Sequence, residues 1–381
     1  MTTIALFHCE DYSPARLDPI VRECLSLRPF PRGARVLVKP NMLAARAPEK
    51  CVTTHPAVVD SVCRALLDLG CRPVIGDSPG IEPFALVAKA SGIGEVGTRL
   101  GVPVQELGRS TLCPPAAGRV NKRLELSADV LEADAVVSLP KMKTHCQMQL
   151  SLTVKNLFGT VVGTRKAQWH YAVGLDRRRF ADLLLDISLS LPPLLSIVDG
   201  VIGMEGHGPS NGRPRAFGLI GASGNAVALD AALSAMMGLL PQDSFLLRAA
   251  QARGFAGCNP SGVEWRGDFD PASRFHGVDI PALDALSLMP RFMDRFGRNF
   301  LASRPEQIRE RCIACGRCAA ACPADALKLE NGTLFFDYAA CIRCYCCHEM
   351  CPRDAIAFRE GALMKLFALL RKTRRAEHER I

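Results

Sequence analysis

Short apolar runs alternate with longer helical stretches over most of the chain. The run at 35–38, Arg-Val-Leu-Val, is followed by a helical stretch at 58–69, and the run at 73–75 is followed by another at 84–90. Alternation of this kind is typical of α/β domains built on a largely parallel sheet. The pattern therefore predicts an α/β domain with a largely parallel sheet at residues 1–290.

Polar side chains follow four of the predicted strands, which end near residues 38, 75, 139 and 198. Ligands of open α/β sheets bind beyond the carboxyl ends of the strands, so polar groups at several such ends are candidates for one site. The stretch 151–159 is predicted to be a helix and carries two further candidates. The full set is Lys39, Asn41, Asp77, Ser78, Lys141, Lys143, His145, Lys155 and Asn156.

If these strand ends share one edge of the sheet, their lysines would ring a cationic pocket. Such a pocket suits a small anionic molecule, a carboxylate or a phosphate. His145 would transfer protons, because the reference pKa of histidine is close to neutrality. Lys141 would polarise the ligand and Asp77 would orient a lysine or a ligand hydroxyl, while the other six residues would bind substrate. The alternative is structural, since the sequences at 39–41 and 76–80 are also ordinary turns and a histidine can be a satisfied structural residue.

The 17 cysteines are unevenly distributed, and nine of them lie between Cys312 and Cys351. The segment that begins at Cys312 recurs at Cys341, 29 residues later, so this region is an internal duplication. Both copies have the spacing C-x2-C-x2-C-x3-C-P, which is the bacterial ferredoxin signature for 4Fe-4S clusters. A local density of this kind predicts metal sites and excludes a disulfide framework.

Two 4Fe-4S clusters are therefore predicted, and each takes its fourth cysteine from the other repeat. The alternative is a pair of zinc sites, because C-x2-C pairs also suit tetrahedral zinc. Cys346 is left over and is predicted to be a packed spare thiol, with a redox role as the alternative. Cluster I would be bound by Cys312, Cys315, Cys318 and Cys351, and cluster II by Cys341, Cys344, Cys347 and Cys322.

The net charge of +9 is unevenly distributed: residues 359–381 hold seven basic and three acidic residues and so contribute +4 of it. This tail reads as a short amphipathic helix, which either contacts an acidic membrane surface or packs on its own domain. The N-terminus lacks a secretory pattern, and no apolar run is long enough to span a membrane, so we expect a cytoplasmic protein. Few aromatic residues and no known reader motif argue against nucleic acid as a partner.

Five segments together resemble the Domain of Unknown Function 362 family. They are Lys39-Pro40-Asn41, Thr54-His55-Pro56, Gly76-Asp77-Ser78-Pro79-Gly80, the segment 139–145 and the segment 154–159. The resemblance covers about residues 39–238, and members of that family often carry a C-terminal two-cluster ferredoxin domain. It implies an iron-sulfur protein whose larger domain binds or transforms a ligand.

These observations predict a α/β domain at 1–290, a linker at 291–305, a small α+β ferredoxin-like domain at 306–360 and a basic amphipathic tail at 361–381. The leading hypothesis is an oxidoreductase that passes electrons from a soluble carrier through the clusters to a small anionic substrate. The alternative is a non-catalytic electron-transfer subunit or docking adaptor for a larger redox enzyme. The sequence leaves a flavin open as a further cofactor and gives no oligomeric state.

Overall fold

A computed structural model describes residues 2–163, 165–174, 176–258, 262–281 and 303–359. The chain divides into two compact units. The larger comprises Met1–Lys166 and Arg178–Pro281, and the smaller comprises Ala167–Arg177 and Ala282–Ile381. The predicted tail at 361–381 and most of the predicted linker at 291–305 lie outside the described residues.

The larger unit is built on a mixed sheet of ten strands. Twelve strands of this unit are described: β1 Thr2–His8, β2 Arg35–Pro40, β3 Arg72–Asp77, β4 Val104–Glu106, β5 Ser110–Leu112, β6 Glu125–Ser127, β7 Ala135–Leu139, β8 Lys141–His145, β9 Gln149–Ser151, β10 Leu194–Glu205, β11 Arg213–Ser223 and β12 Val263–Arg266. The order across the sheet is β12-β1-β11-β10-β7-β2-β3-β4, with β8 paired to β10 and β9 paired to β8. The strands β5 and β6 form a separate hairpin-like pair.

Most neighbouring strands in this sheet are parallel. The pairs β10–β7, β7–β2, β2–β3 and β3–β4 are parallel, whereas β11 is antiparallel to both of its neighbours. Val36, Leu37 and Val38 are at most 2% exposed, which means that both faces of the central strand β2 are covered. Such strands read as continuous apolar runs, as this one does. The predicted α/β class is confirmed.

Ten helices are described in the part of the chain from residue 2 to residue 281. They are α1 Pro14–Ser26, α2 Pro56–Asp68, α3 Phe84–Ala90, α4 Ile93–Leu100, α5 Ala128–Leu131, α6 Thr153–Asn156, α7 Arg165–Val173, α8 Arg177–Ser190, α9 Ala226–Met236 and α10 Phe245–Ala252. Both α1 and α2 have proline in the first turn, where no intrahelical N–H bond is lost. Their apolar faces, including Val21 and Val62, join the main core with Val36 and Val38.

The predicted strand end near residue 198 is not an end, and the one at Leu139 is followed after a single residue by another strand. After Pro140 the chain continues as β8, so Lys141, Lys143 and His145 lie within a strand rather than in a loop. By contrast, β10 is one unbroken strand that runs through Asp199 to Glu205. The two segments extend side by side because β8 pairs with β10 in parallel, with Lys141 opposite Asp199. The stretch at 151–159 is not one helix either, because Ser151 ends β9, α6 covers only four residues, and a 3-10 turn follows it.

Within residues 303–359, the smaller unit has four short strands and two short helices. They are β13 Arg304–Gln307, β14 Leu327–Glu330, β15 Thr333–Phe336, β16 Ile356–Arg359, α11 Arg317–Ala320 and α12 Cys346–Glu349. β13 pairs with β16 and β14 pairs with β15, all antiparallel. Arg304 and Pro305 are part of β13, so this fold begins inside the predicted linker. Because α11 and α12 begin at equivalent positions 29 residues apart, the sequence repeat is also a structural repeat.

Among the described residues, no helix is long and apolar enough to cross a membrane.

Candidate functional site

A buried ion pair stands at the carboxyl ends of β2 and β3. Lys39 Nζ lies 2.8 Å from Asp77 Oδ1, and the lysine side chain is fully buried. The carboxylate also accepts hydrogen bonds from the backbone N–H groups of Met42 (2.8 Å) and Ser78 (2.9 Å). Burying a charge is costly unless it is paired and hydrogen-bonded, and here both requirements are met. Asp77 is therefore the buried counter-ion of Lys39, while its predicted catalytic role stays a prediction.

Gly159 leaves room for this pair. A Cβ atom at this position would collide with the carboxylate of Asp77 and the Nζ and Cε atoms of Lys39. The backbone after α6 therefore approaches the ion pair more closely than any residue with a side chain would permit.

A second buried ion pair joins β8 to β10. Lys141 Nζ lies 2.8 Å from Asp199 Oδ2, and neither side chain has exposed area. Tyr12 completes the group: its hydroxyl accepts a hydrogen bond from Lys141 Nζ (2.9 Å) and donates one to Asp199 Oδ1 (2.9 Å). The backbone N–H of His55 donates to Asp199 Oδ2 at 2.8 Å. Asp199 thus holds two side chains and the N-terminus of α2 in one network.

The ring of His55 covers this network from the side of α2. It stacks on the ring of Tyr12 with a centroid distance of 3.6 Å and an interplanar angle of 8°. Its Nδ1 accepts the backbone N–H of Ala57, which makes His55 the N-cap of α2. Tyr12 and His55 are half-buried, whereas Lys141 and Asp199 are buried, so this pair of rings is the part of the network nearest to solvent.

The surroundings set the protonation states of both rings. Burial raises the pKa of Tyr12 far above its usual range, and the negative charge of Asp199 adds to that effect, so the phenol keeps its proton. Burial lowers the pKa of His55, and the nearby charge of Asp199 only partly opposes this shift. At neutral pH the site therefore presents a protonated phenol beside an uncharged imidazole.

A chain of side-chain amides links the third lysine to the first. Lys143 Nζ donates to Asn41 Oδ1 (2.7 Å) and to the carbonyl of Val52 (2.8 Å). Asn41 Nδ2 donates to Asn156 Oδ1 at 3.2 Å, and Asn156 Nδ2 donates to Ser138 Oγ at 2.9 Å. Asn41 and Asn156, predicted to bind substrate, thus connect Lys143 with the strand beside Lys39.

Lys155 and Lys166 are two further lysines of this region, and their charges act on each other. Lys155 Nζ lies 5.2 Å from the ring centroid of Phe158 and 5.3 Å from that of Phe180, within the range of cation–π attraction. Lys166 Nζ donates to the carbonyl oxygens of Ser78 (2.5 Å) and Pro79 (3.1 Å). Ser78 does not point its hydroxyl at a lysine; its Oγ accepts the backbone N–H of Gly163.

His145 is buried and held by its own turn. Its Nδ1 accepts the backbone N–H of Gln147 at 3.0 Å and, less closely, that of Met148 at 3.4 Å. A ring nitrogen that accepts cannot carry the proton, so the neutral imidazole has its proton on Nε2. No contact described for His145 joins it to either lysine–aspartate pair, and its proton-transfer role stays a prediction.

Four cysteines of the two motifs line one cavity of the smaller unit. Its lining includes Cys312, Cys315, Cys318 and Cys351, together with apolar residues. These are the four cysteines that the exchange between repeats assigns to cluster I. Cys322 lies close enough to Cys341 and Cys344 for their charges to raise its pKa, after burial, the main cause, and Cys347 is influenced by the same group.

Backbone geometry in the two repeats matches this chemistry. Ala314 and Arg343, at the middle of each first C-x2-C loop, have φ values of 52° and 55° and so turn the loop tightly. The N–H of Ala326 donates to Cys322 Sγ at 3.2 Å, and that of Ala355 donates to Cys351 Sγ at 3.1 Å. Such N–H···S bonds stabilise thiolate ligands and tune a cluster potential. All cysteines are free thiols, as cluster binding requires.

Cys346, the spare cysteine, contacts a predicted ligand. A hydrogen bond from its side chain is the main cause that holds the pKa of Cys344 below its usual value. The hydrogen bond with Cys344, followed by burial, raises the pKa of the Cys346 thiol well above its ordinary value, and the role of Cys346 stays a prediction.

Sequence reasoning missed Tyr12, Asp199 and Lys166 as members of the site. Asp199 had a signal, because it follows the apolar run at 194–198. Tyr12 and Lys166 had none: the first lies in the loop after β1 and the second in the first turn of α7. Their positions follow from the fold, which brings β1, β3 and β10 to the same sheet.

Comparisons with known proteins agree with this two-part organisation. The family described as "Domain of unknown function (DUF362)" matches residues 36–235, and that described as "4Fe-4S dicluster domain" matches residues 304–352. The thylakoid-associated protein sll1697 of Synechocystis is 38% identical over 232 residues, which are 61% of this chain and 71% of that protein.

Two solved structures have a limited structural similarity to this chain. A protein from Thermotoga maritima has a TM-score of 0.37 at 13% identity, over 67% of this chain and 60% of its own. The lactate racemase apoprotein from Thermoanaerobacterium thermosaccharolyticum has a TM-score of 0.32 at 12% identity, over 56% of this chain and 54% of its own. The match thus spans less than two thirds of either protein.

Proposed function

Because the chain belongs to the Domain of Unknown Function 362 family and ends in a 4Fe-4S dicluster domain, we propose that it is an oxidoreductase acting on a small anionic substrate. The dicluster domain makes the chain an iron-sulfur protein with a role in electron transfer. The substrate would bind at the lysines of the larger unit. The observation that carries this proposal is the set of buried lysine–aspartate pairs at Lys39 and Lys141, joined in one chain to an electron-transfer domain.

The chemistry is a two-electron reduction that balances as follows. When bound, two 4Fe-4S clusters supply electrons one at a time. The electrons come from a reduced soluble electron-carrier protein, which is oxidised by one electron each time. An unsaturated bond of the substrate takes up two electrons and two protons, and a single bond with two new bonds to hydrogen remains. The protons come from the chain and ultimately from solvent.

The residues around Tyr12 are suited to provide one of those protons. The phenol is protonated at neutral pH, and Lys141 donates a hydrogen bond to its oxygen. As the phenol proton moves to the substrate, the positive charge of Lys141 stabilises the oxygen that is left behind. Lys39 and Lys155 would hold the charged group of the substrate, and Asn41, which is half-buried, would contact it from the solvent side.

An anaerobic re-oxidation assay tests this proposal. The purified protein is reduced until its absorbance at about 400 nm is bleached, and 2-oxo acids, unsaturated carboxylates and phosphate esters that contain a C=C or C=O bond are then added one at a time. A substrate restores the absorbance, and Tyr12→Phe slows that step about a hundredfold, the size expected for loss of a general acid. Tyr171→Phe is the matched control, because Tyr171 is 59% exposed.

The proposal fails if no anionic compound restores the absorbance faster than buffer alone, or if Tyr12→Phe behaves like Tyr171→Phe. Chemical reduction of the clusters should be the same in all three proteins. That comparison separates a lost substrate step from a lost cluster.

A second candidate is a non-catalytic electron-transfer subunit that docks a larger redox enzyme near a membrane. It is favoured by the name of the relative from Synechocystis, which is described as thylakoid-associated. The sequence at 359–381, with seven basic and three acidic residues, suits an acidic surface. This candidate predicts that the protein co-sediments with anionic lipid vesicles, and that a chain shortened at residue 360 does not.

A further inference from the structure

Lys166 is a half-buried cation without a carboxylate partner among the described residues. Its Nζ donates to two backbone carbonyls, those of Ser78 and Pro79. Carbonyl oxygens satisfy two of the three N–H groups of an ammonium but bring no counter-charge. The nearest acidic partner of the region, Asp77, is already paired with Lys39 at 2.8 Å.

Burial and several charged neighbours act in opposite directions on the pKa of Lys166. Burial lowers its pKa to about 7, as the largest effect. The negative charges of Asp77 at the end of β3 and Glu106 at the end of β4 favour the ammonium, while Lys39 on β2 and Lys155 on α6 oppose it. The carboxylate of Glu125 is paired with Arg165, the residue before Lys166, at 2.6 Å.

These contacts also hold the loop after β3 in place. Ser78 donates its backbone N–H to Asp77, its Oγ accepts the N–H of Gly163, and its carbonyl accepts from Lys166. A neutral amine can keep both carbonyl contacts with its two N–H groups and turn its lone pair toward the site. The charges of Lys39 and Lys155 already act on Lys166, and an anion bound beside it would offset them and favour the charged form of Lys166.

We propose that Lys166 is an anion-binding residue of this site, that it holds a small dianionic oxyanion together with Lys39 and Lys155, and that it takes up one proton from solvent as the anion binds. The inference rests on the proposed function only in identifying that anion with the charged group of the substrate. The inference goes further than the proposed function because it makes anion binding depend on pH. The affinity for anions is highest when Lys166 is already protonated before binding, and it falls as the pH rises.

Binding of oxalate and of sulfate to the whole, cluster-loaded protein tests the inference. Both ions keep a charge of two over pH 6–9, so any pH dependence of binding comes from the protein; oxalate represents carboxylates and sulfate represents phosphate-like groups. Isothermal titration calorimetry measures the dissociation constants. For the wild type, at least one of the two ions should bind about tenfold or more weakly at pH 8.5 than at pH 6.5.

Three variants complete the experiment. Lys166→Arg should bind the anion with a dissociation constant that is constant within about twofold over this range, because arginine keeps its charge. Lys166→Met should bind at least about tenfold more weakly than the wild type at pH 6.5, with no pH dependence. Lys89→Met should match the wild type, since Lys89 is exposed on α3. Far-UV circular dichroism establishes that each variant is folded.

The inference is overturned if neither ion binds the wild type, if binding is independent of pH, or if Lys166→Arg keeps the pH dependence of the wild type. Anion binding needs no reductant and no turnover. A protein that binds oxalate as described but never re-oxidises with any substrate would therefore contradict the proposed function and leave this inference standing.

Discussion

At the scale of single residues, the site depends on lysines that have been removed from water. Lys39, Lys141 and Lys143 are at most 1% exposed, and each donates to an oxygen of the protein. An ion pair on the surface contributes little to stability, whereas the loss of one partner from a buried pair leaves an uncompensated charge. The pairs are therefore strong constraints on which substitutions the fold tolerates.

Replacing Lys39 by methionine should lower the free energy of unfolding by about 3 kcal/mol or more, because Asp77 is left charged and buried. Adding Asp77→Asn to this variant should cost less than the sum of the two single changes, since the unpaired charge is gone. Urea unfolding followed by far-UV circular dichroism measures these differences.

A surface pair of the same unit provides the control. Arg22 and Asp68 are 3.4 Å apart, with side chains 61% and 66% exposed. Arg22→Met should lower the free energy of unfolding by less than about 1 kcal/mol. If Lys39→Met were no more destabilising than Arg22→Met, the buried pair would not have the structural weight assigned to it.

At the scale of elements, α6 is held in place by a carboxylate of α9. Asp230 accepts hydrogen bonds from the backbone N–H groups of Thr153 (2.7 Å) and Val154 (3.1 Å), which are the first two residues of α6. The Thr153 hydroxyl also contacts this carboxylate and donates to the carbonyl of Ala226 at 2.7 Å. Since α6 carries Lys155 and Asn156, this contact positions one side of the site.

Asp230 should make the stability of the fold depend on pH. Burial raises its pKa to about 7 from an ordinary value of 3.8, although its hydrogen bonds act in the opposite direction. The folded state thus keeps a proton that the unfolded state releases, so this residue reduces stability progressively as the pH rises from about 4 to about 7. The loss is on the order of 4 kcal/mol when complete.

The comparison of wild type with Asp230→Asn isolates this effect, because asparagine does not titrate. The difference in free energy of unfolding between the two proteins should change between pH 5 and pH 7.5, in the direction that favours the variant at higher pH. A difference that is the same at both values would show that Asp230 has an ordinary pKa.

At the scale of the whole molecule, each unit has a hydrophobic core of its own. The larger unit is built around apolar residues of its sheet and helices, such as Val36 and Leu66. The core of the smaller unit is small and includes Cys318 and Cys351, two of the predicted cluster ligands, beside Leu327 and Ile356. A core that contains the metal ligands is expected to depend on the metal, because the energy of binding is also energy of folding.

Removal of iron by a chelator with a mild oxidant should therefore unfold the smaller unit selectively. Hydrogen exchange measured by mass spectrometry should show loss of protection in peptides from 303–359 and unchanged protection in the strands β2 and β7. Treatment with the same reagents of a Cys312→Ser, Cys341→Ser double variant is the control, since its clusters are already impaired. Equal loss of protection in both units would contradict this expectation.

The features carried by local pattern were predictable from the sequence. The apolar runs at 35–38 and 135–139 are strands, and the helical stretch at 58–69 lies almost entirely in α2. The cluster-binding domain was predictable for the same reason, because the spacing of its cysteine ligands is a local property of the sequence. The errors arose where a strand passed through a polar segment: Lys141 and His145 lie in β8 because pairing with β10 satisfies their backbone, and no pattern along the chain records that pairing.

The sequence by itself determined that this protein has an α/β unit and a cluster-binding unit, since periodicity and cysteine spacing depend only on neighbours along the chain. The tertiary structure alone decided that Tyr12 would lie against Lys141 and Asp199, residues 129 and 187 positions away, and that Lys166 would reach the loop after β3. These charged side chains are buried, so they need partners within the protein in place of water. Their pairing is therefore a result of tertiary packing, and this packing determines which polar groups meet at the site.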